Sequence, residues 1–564
     1  MDFETIIEPF KIKSVESLPI TTPEERKEYL AREHSNVFGL KSQEVTIDLL
    51  TDSGTGSMSS EQWASLMRGD ESYAGSKSWQ RFEEVVRDLT GYKHIIPTHQ
   101  GRASERILAS ICVKSGDIIP SNSHFDTTRA NFEFAESTPV DLLCKEGLSL
   151  LDPSDFKGNV DLEKLEELLK SEDGSKVPFV LMTITNNTGG GQPVSMENLK
   201  AVKALCKKYK KMFLLDACRF AENAWFVSQR EDSYKGKKVR DIAKEAFRLA
   251  DGCSISLKKD GFGNIGGLLA LNDDQLAEDA KNLLILTEGF PTYGGLAGRD
   301  LDALAQGLIE ITDENYLQYR ARSIAYLGEK AISYGLPIVQ PAGGHALYID
   351  AKTFLPDIPP HQYPGQAVVC ELYLLGGIRT AELGTFAFGV AGENGENDTP
   401  ATHELVRLAA PRRTYTQSHF DYVAEVLEIL VENKDKLKVG IASGWYVRQF
   451  SGDFNPYHFH TGCQISCIGY LKMPEDINEY WKEEDKDHNP FGGYVDFRYG
   501  TIGLNCPNNV KFKPQVGDFY MFPNWLDHSV YPFKSKYKNY EQQGERRSFS
   551  LNIVFGNNEN NNKS

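Results

Sequence analysis

From about residue 41 to residue 438, short apolar runs alternate with amphipathic stretches of helical period. No other feature of the sequence restricts the fold as much. The runs 179–185 (FVLMTIT), 212–215 (MFLL) and 267–271 (GLLAL) have the length of strands and almost no polar side. Between runs of this kind lie stretches such as 161–170 (DLEKLEELLK), whose apolar positions recur three and four apart, as on a helix with one buried stripe. Strands buried on both faces and separated by helices make a mostly parallel sheet with helices on both sides. A second α/β portion begins near 343–350 (GGHALYID) and closes with an amphipathic helix over 421–433 (DYVAEVLEILVEN). The expected division is a large portion over roughly 50–310 and a smaller one from 1–49 and 311–438.

After residue 439 helical periodicity disappears. Runs become short and alternating, as in 464–471 (QISCIGYL), 518–522 (DFYMF) and 548–554 (SFSLNIV), with dense Gly, Pro and aromatic residues. This predicts a separate all-β domain over 439–556, a sandwich or barrel. The tail 557–564 (NNENNNKS) is low in complexity and expected to be disordered. Several domains are required in any case, because 564 residues exceed what one core supports.

Charge and cysteine usage narrow the partners. A net charge of −17 argues against nucleic acid and anionic membranes. Nine cysteines without a CxxC spacing read as reduced thiols of a cytoplasmic protein. The start, MDFET, lacks the order of a signal peptide, and no apolar run approaches the ~18 residues of a membrane span.

Two runs end in groups that belong together chemically. In 214–219 (LLDACR) Asp216 follows a strand-like run, and in 254–261 (SISLKKDG) Lys259 follows another. A lysine able to form a Schiff base and a carboxylate able to keep a pyridine nitrogen protonated are what pyridoxal phosphate requires. Adjacent lysines such as Lys258 and Lys259, taken alone, are more often solvated surface. Residues 98–102 (THQGR) add a glycine turn, an amide and a guanidinium ahead of a helical run, a natural phosphate cradle. Phe125 could stack on the ring and Asn187 could meet its hydroxyl oxygen. Their plainer readings are a core aromatic and a turn residue. The lysine–aspartate pair by itself also suits an aminotransferase.

Over about residues 10–438 the sequence resembles the β-eliminating lyases, the family of tryptophanase and tyrosine phenol-lyase. The resemblance rests on 47–54 (IDLLTDSG), 69–76 (GDESYAGS), 97–102 (PTHQGR), 190–195 (GGQPVS), 219–224 (RFAENA), 288–296 (EGFPTYGGL) and 343–346 (GGHA). It implies the aspartate-aminotransferase-like fold (type I of the pyridoxal-phosphate enzymes) in a homotetramer with sites at dimer interfaces. By the same resemblance Lys259 is the Schiff-base lysine, Asp216 the pyridinium partner and Arg219 its neighbour by the cofactor hydroxyl. Gln100, Gly101, Arg102 and Ser256 hold the phosphate, Phe125 stacks, and Asn187 meets the ring oxygen. Tyr73 is the general acid for the leaving group. Arg407 clamps the substrate carboxylate, with Thr51 and Leu383 at the substrate. Gly54, Glu71 and Asn264 match the ligands of a potassium-like cation. Asp126 and Leu383 match the indole branch rather than the phenol branch, which implies tryptophan cleaved to indole, pyruvate and ammonia. The alternatives are a tyrosine phenol-lyase or a cysteine-type β-lyase. The late histidine segment of tryptophanases is replaced by the β region, where Gln449 is the nearest stand-in.

The β region carries its own constellation. His458 and His460, two apart on a strand, share a face, and His528 in 522–528 (FPNWLDH) supplies a third imidazole, enough for a facial triad. Over about 445–555 the order of motifs resembles the iron(II)- and 2-oxoglutarate-dependent oxygenases, whose fold is a jelly roll (double-stranded β-helix). This implies His458, His460 and His528 as iron ligands and Arg546, in 545–552 (ERRSFSLN), as the 2-oxoglutarate anchor. His460 stands where most of the superfamily has aspartate. A cupin would need a glutamate soon after the histidine pair, and Glu475 is too far along. A metal-free binding or assembly module is the remaining alternative.

Overall fold

Strands Phe179–Thr183, Gly252–Ser256 and Gly267–Leu271 are buried at every position. Strands with no solvent face belong in the middle of a sheet covered on both sides. Such a sheet is present in the computed structural model, which describes residues 6–390, 399–434, 439–484, 491–499 and 509–555. The N-terminal residues 1–5 and the Asn-rich tail lie outside these. Seven strands run in the order His94–Thr98, Gly267–Leu271, Gly252–Ser256, Met212–Asp216, Phe179–Thr183, Ile118–Ser121, Thr138–Asp141. Neighbours are parallel except around Gly267–Leu271, which is antiparallel to both its partners. The two-residue period of a strand sorts side chains onto opposite faces. Val180 and Met182 join the apolar cluster of Phe82, Val86 and Phe213, while Phe179 and Leu181 join that of Ile96, Ile107 and Leu269.

The expected helix near residue 161 forms over Leu162–Lys170. The Asp161 carboxylate accepts the Lys164 N–H at 3.1 Å as its N-cap, and Leu165 and Leu169 are buried. The smaller portion holds an antiparallel sheet in the order Ala381–Leu383, Leu405–Ala409, Ala346–Asp350. The amphipathic helix near its end spans Gln417–Glu432.

These portions share a buried knot of charge. Arg219 forks onto Asp52 at 2.7 and 3.0 Å. Arg412 reaches Asp52 at 2.8 Å, Glu222 at 3.0 Å and Asp260 at 2.7 Å, and Arg320 reaches Glu222 at 3.3 Å. All six side chains are buried. Burial alone would raise Asp52, yet the Arg219 and Arg412 guanidiniums hold it well below the ordinary carboxylate range. Asp260 goes the other way, pushed up to about 6 by burial and by Glu222 against the pull of Arg412.

The chain folds as two compact units, Met1–Thr21 with Lys41–Val431, and Thr22–Leu40 with Glu432–Ser564. Residues Thr22–Leu40, expected with the smaller α/β portion, thus group with the β region. Among the described residues, the second unit has two four-stranded antiparallel sheets. One runs Val439–Gln449, Arg546–Phe555, Ile465–Lys472, Phe519–Pro523. The other runs Asn455–His458, Asp527–Val530, Val495–Arg498, Asn509–Phe512. They share a core, with Ile468, Tyr470 and Phe522 of the first packed on Val495, Phe497 and Val530 of the second. One helix, Ile477–Glu484, was not foreseen; its Ile477 and Trp481 bury against Phe533. Every described cysteine is a free thiol. Among the described residues no helix is long and apolar enough to cross a membrane.

Removing one member of a buried ion network strands its partners, at a cost of about 3–5 kcal/mol. Arg412→Met, which leaves Asp52, Glu222 and Asp260 without their common cation, should lower the stability of the α/β unit by that amount in denaturant titrations. Pairing it with Asp260→Asn should recover part of the loss.

Candidate functional site

A cavity of about 170 Å³ opens at the ends of the central strands. Asp216 is the last residue of Met212–Asp216, and Lys259 lies in the turn three residues past Gly252–Ser256, the neighbouring parallel strand. Both line the cavity, and so does Lys258, so these lysines are not a solvated surface pair. Gln100 is the N-cap residue of helix Gly101–Cys112, whose free N–H groups suit an anion. A Cβ on Gly101 would stand 2.7 Å from Ser256 Cβ, so only glycine lets this helix start meet the strand end. Gln100, Gly101, Arg102 and Ser256 all line the cavity, as do Phe125, Asp126 and Thr51. An anion cradle, a flanking aromatic, a carboxylate and a lysine around one cavity fit pyridoxal phosphate.

The cavity wall at Asn187 is held from behind. Asn187 Oδ1 accepts from His345 Nε2 at 2.9 Å and from Tyr348 Oη at 2.7 Å, and Arg407 Nη1 donates to it from 3.5 Å. With its oxygen so occupied, the amide presents Nδ2 as the free donor of a cavity-lining residue. His345 is neutral, its proton affinity lowered by burial and by the nearby Arg219. Arg407 also donates to the Leu50 carbonyl at 3.1 Å, and its buried Nε has no partner among the described residues. That donor is ready for a carboxylate. Arg219 lines the cavity while bound to Asp52.

Four expected residues stand elsewhere. Tyr73 is 72% exposed, against Phe290 and Tyr293, and does not line the cavity. Leu383 packs on the small-portion sheet and is likewise not in the wall. Of the cation set, Asn264 Nδ2 donates to the Gly54 carbonyl at 2.9 Å, but Glu71 pairs with Arg299 at 3.1 Å. Gln449 is no stand-in for a late histidine. It is buried in the second unit, where its Oε1 accepts from Arg546 Nε at 3.0 Å.

Several residues of the site carried no readable sign. Glu105 lines the cavity from helix Gly101–Cys112. Its Oε1 accepts from Thr128 at 3.1 Å, and its buried Oε2 has no partner among the described residues. Burial, then the Asp216 charge, pushes it up to about 7. Cys218 Sγ accepts the Ser256 N–H at 3.2 Å. His345 lies inside the GGHA motif, which is the only sequence signal for its role.

In the second unit, His458, His460 and His528 bring their ligand nitrogens within 4.8 Å of one another. Each Nδ1 has an oxygen acceptor: Pro456 carbonyl at 2.8 Å, Asn552 Oδ1 at 2.6 Å and Leu526 carbonyl at 3.1 Å. Those bonds assign the N–H to Nδ1 and leave three Nε2 lone pairs for a metal. Burial drives His528 down to about 4, so it is neutral and competent to ligate. The donor set fits iron(II). Arg546 is fully buried, donating to Gln449, the Gly493 carbonyl at 3.0 Å and the Tyr531 carbonyl at 3.4 Å. Burial pulls it down to about 10. Near it the buried Tyr470 hydroxyl has no partner among the described residues, which makes it a second donor for an anion that the sequence did not reveal. Glu475 is engaged by Tyr537 at 3.5 Å, apart from the histidines.

Comparison with known proteins gives two family matches. Residues 48–426 match the model described as "Beta-eliminating lyase", and residues 443–552 match that described as "Putative 2OG-Fe(II) oxygenase". The chain is 57% identical over 435 residues to a tryptophanase of Hyphomonas neptunium, covering 77% of this chain and 95% of the relative. It is 56% identical over 435 residues to a tryptophanase of Rhodobacter capsulatus, with the same coverages. A tyrosine phenol-lyase of Pasteurella multocida is 47% identical over 431 residues, covering 76% of this chain and 94% of the relative.

Two measurements follow from this geometry. The raised Glu105 value means the folded protein keeps a proton that the unfolded chain, with its value near 4.5, has released. Its contribution is complete below the unfolded value and disappears as pH rises through the folded one. Thermal melts of cofactor-free protein between about pH 5 and pH 8 should therefore decline less steeply for Glu105→Gln. For the histidine cluster, His528→Ala should abolish iron(II) binding. Asn552→Ala, which releases His460 Nδ1, should weaken it by about 10–100-fold in competition titrations.

Proposed function

The chain belongs to the beta-eliminating lyase family, with pyridoxal phosphate as its cofactor and a 2-oxoglutarate–iron(II) oxygenase domain behind it, and on that premise we propose that it cleaves tryptophan to indole, pyruvate and ammonia. The observation that carries the choice of leaving group is Asp126, a carboxylate in the wall of the Lys259 cavity, on the first turn of helix Asp126–Phe134. The tryptophanase relatives at 56–57% identity support the same choice over the phenol-lyases at 45–48%.

Bound pyridoxal phosphate supplies an aldehyde for the lysine amine and a cationic ring that stabilises negative charge at the substrate Cα. The protein does the rest. Arg407 binds the substrate carboxylate through its unpartnered Nε. Lys259 Nζ takes the Cα proton. Asp216 keeps the proton on the ring nitrogen, and Asn187 Nδ2 donates to the ring oxygen while Arg219 adds positive charge beside it. The N-terminus of helix Gly101–Cys112, with Gln100, Arg102 and Ser256, holds the phosphate. Asp126 and Tyr73 protonate the departing ring carbon. Thr51, whose hydroxyl accepts the Ser53 N–H at 3.1 Å, shapes the substrate side.

Tyr73 is exposed and outside its own cavity, which fits a homotetramer in which a neighbouring copy completes each site. A potassium-like ion held by Gly54, Asn264 and Glu71 belongs to the same proposal, as does a cytoplasmic location. The oxygenase domain is proposed to hold iron(II) on His458, His460 and His528, with Arg546 and Tyr470 receiving the 2-oxoglutarate carboxylate.

Product assays test this reading. Wild-type protein should release indole from tryptophan faster than phenol from tyrosine; the reverse order would overturn the indole assignment. Lys259→Ala should lose at least about 10²–10⁴-fold in turnover, the share of a positioned base. It should also lose the visible absorbance of lysine-bound cofactor. Asp126→Thr should depress indole release more than the release of a thiol from a cysteine derivative, whose leaving group needs no carbon protonation.

A further inference from the structure

The approach to the histidine cluster is aromatic. Trp445 stands on strand Val439–Gln449 opposite Ser550, just as Gln449 stands opposite Arg546. Arg546, Ser550 and Asn552 are all buried on one face of their strand, the face that carries the bond to His460. Trp445 therefore points inward, and its ring lies 5.3 Å from that of His460. The neighbours facing it on the partner strand, Ser548 and Ser550, are buried, yet Trp445 is 40% exposed. An inward indole so exposed borders open space beside the imidazoles and is not packed core. A second indole stands at the same end. Trp525 is in the turn between Phe519–Pro523 and Asp527–Val530, and that turn is tied to His460. The His460 N–H donates to the Asn524 carbonyl at 2.9 Å, and Asn524 Nδ2 donates back to the His460 carbonyl at 3.2 Å. Trp525 is 42% exposed, with His34 against it at 5.0 Å. Behind the cluster, Phe522 lies 4.6 Å from His528.

We propose that Trp445 and Trp525 form the substrate rim of the three-histidine centre, and that this centre hydroxylates a planar aromatic ring of the class the Lys259 site expels. The proposal rests on the oxygenase reading above. Flat faces at ring-centroid spacings of about 4.5–7 Å recognise other rings by offset or edge-to-face stacking. The reaction balances as ring C–H plus O₂ plus 2-oxoglutarate giving ring C–OH, succinate and CO₂. One oxygen atom enters the new hydroxyl and the other enters the succinate carboxylate. The broken C–H bond and the decarboxylated keto acid each supply two electrons to O₂. The proton from carbon ends on the hydroxyl. An expelled aromatic and an intact aromatic amino acid present the same ring, so indole and tryptophan are tested separately.

The test is binding at the metal. Full-length Lys259→Ala protein, which neither converts tryptophan to indole nor carries the visible absorbance of lysine-bound cofactor, is loaded anaerobically with iron(II) and 2-oxoglutarate, and the visible iron–keto-acid charge-transfer band is followed while indole, tryptophan or leucine is added. The expected result is a saturable change of the band with indole, tryptophan or both, and none with leucine. Trp445→Ala, and independently Trp525→Ala, should weaken ring binding roughly tenfold, and Trp445→Phe should restore it to within about threefold. A band that forms but ignores both rings, responds to leucine, or binds the rings equally well in both tryptophan-to-alanine variants overturns the proposal and leaves the oxygenase reading standing. No band in the protein with both tryptophans in place overturns the oxygenase reading, and the proposal with it.

Discussion

Three arginines and three carboxylates buried together set the terms for the α/β unit. Asp52 comes from the segment after the first short strand, Glu222 and Arg219 from the start of one helix, Asp260 from the turn beside Lys259, Arg320 from a long helix and Arg412 from the end of the small-portion sheet. A buried charge without a partner is costly enough that each of these segments must arrive for the others to be tolerated. The knot also borders the cavity. Asp260 follows Lys259 directly, and Arg219 is at once a member of the knot and a wall of the cavity.

The same economy appears around Asn187. One amide oxygen collects donors from His345, Tyr348 and Arg407, so a single side chain ties the cavity-lining Arg407 to two residues behind the wall. The second unit uses the complementary device. Three histidines give their Nδ1 protons to oxygens and keep their Nε2 lone pairs free, which makes a neutral ligand set without any carboxylate. A metal there keeps its full positive charge and favours an anionic chelator such as a keto acid.

What could be read from the sequence was local. Strands 179–183, 212–216 and 267–271 announced themselves through unbroken apolar runs, and Asp216 and Lys259 through their places at strand ends. The histidine pair was visible from its spacing, although strand Asn455–His458 ends at the first histidine and His460 lies just past it. The charge knot was not visible. Arg412 and Asp52 lie 360 positions apart, and neither stands in a pattern with a period. Glu105 looked like one more polar residue on an amphipathic helix, since nothing local tells that its turn faces a cofactor cavity. Tyr73 and Leu383 were read by resemblance alone, and neither enters the cavity wall of its own chain. The helix Ile477–Glu484 escaped notice because a single short turn of apolar spacing is lost among strand-like runs.

The order of the chain is not the order of its units. Thr22–Leu40 groups with the β region, so the polypeptide enters the α/β unit, leaves it, and returns before the β strands begin. No single cut therefore separates the two halves. A fragment beginning at residue 439 would lack helix Pro23–Arg32 and the His34 ring that lies on Trp525. The fusion is interlaced rather than appended, and any evolutionary or engineered exchange of the oxygenase part must carry two pieces of sequence.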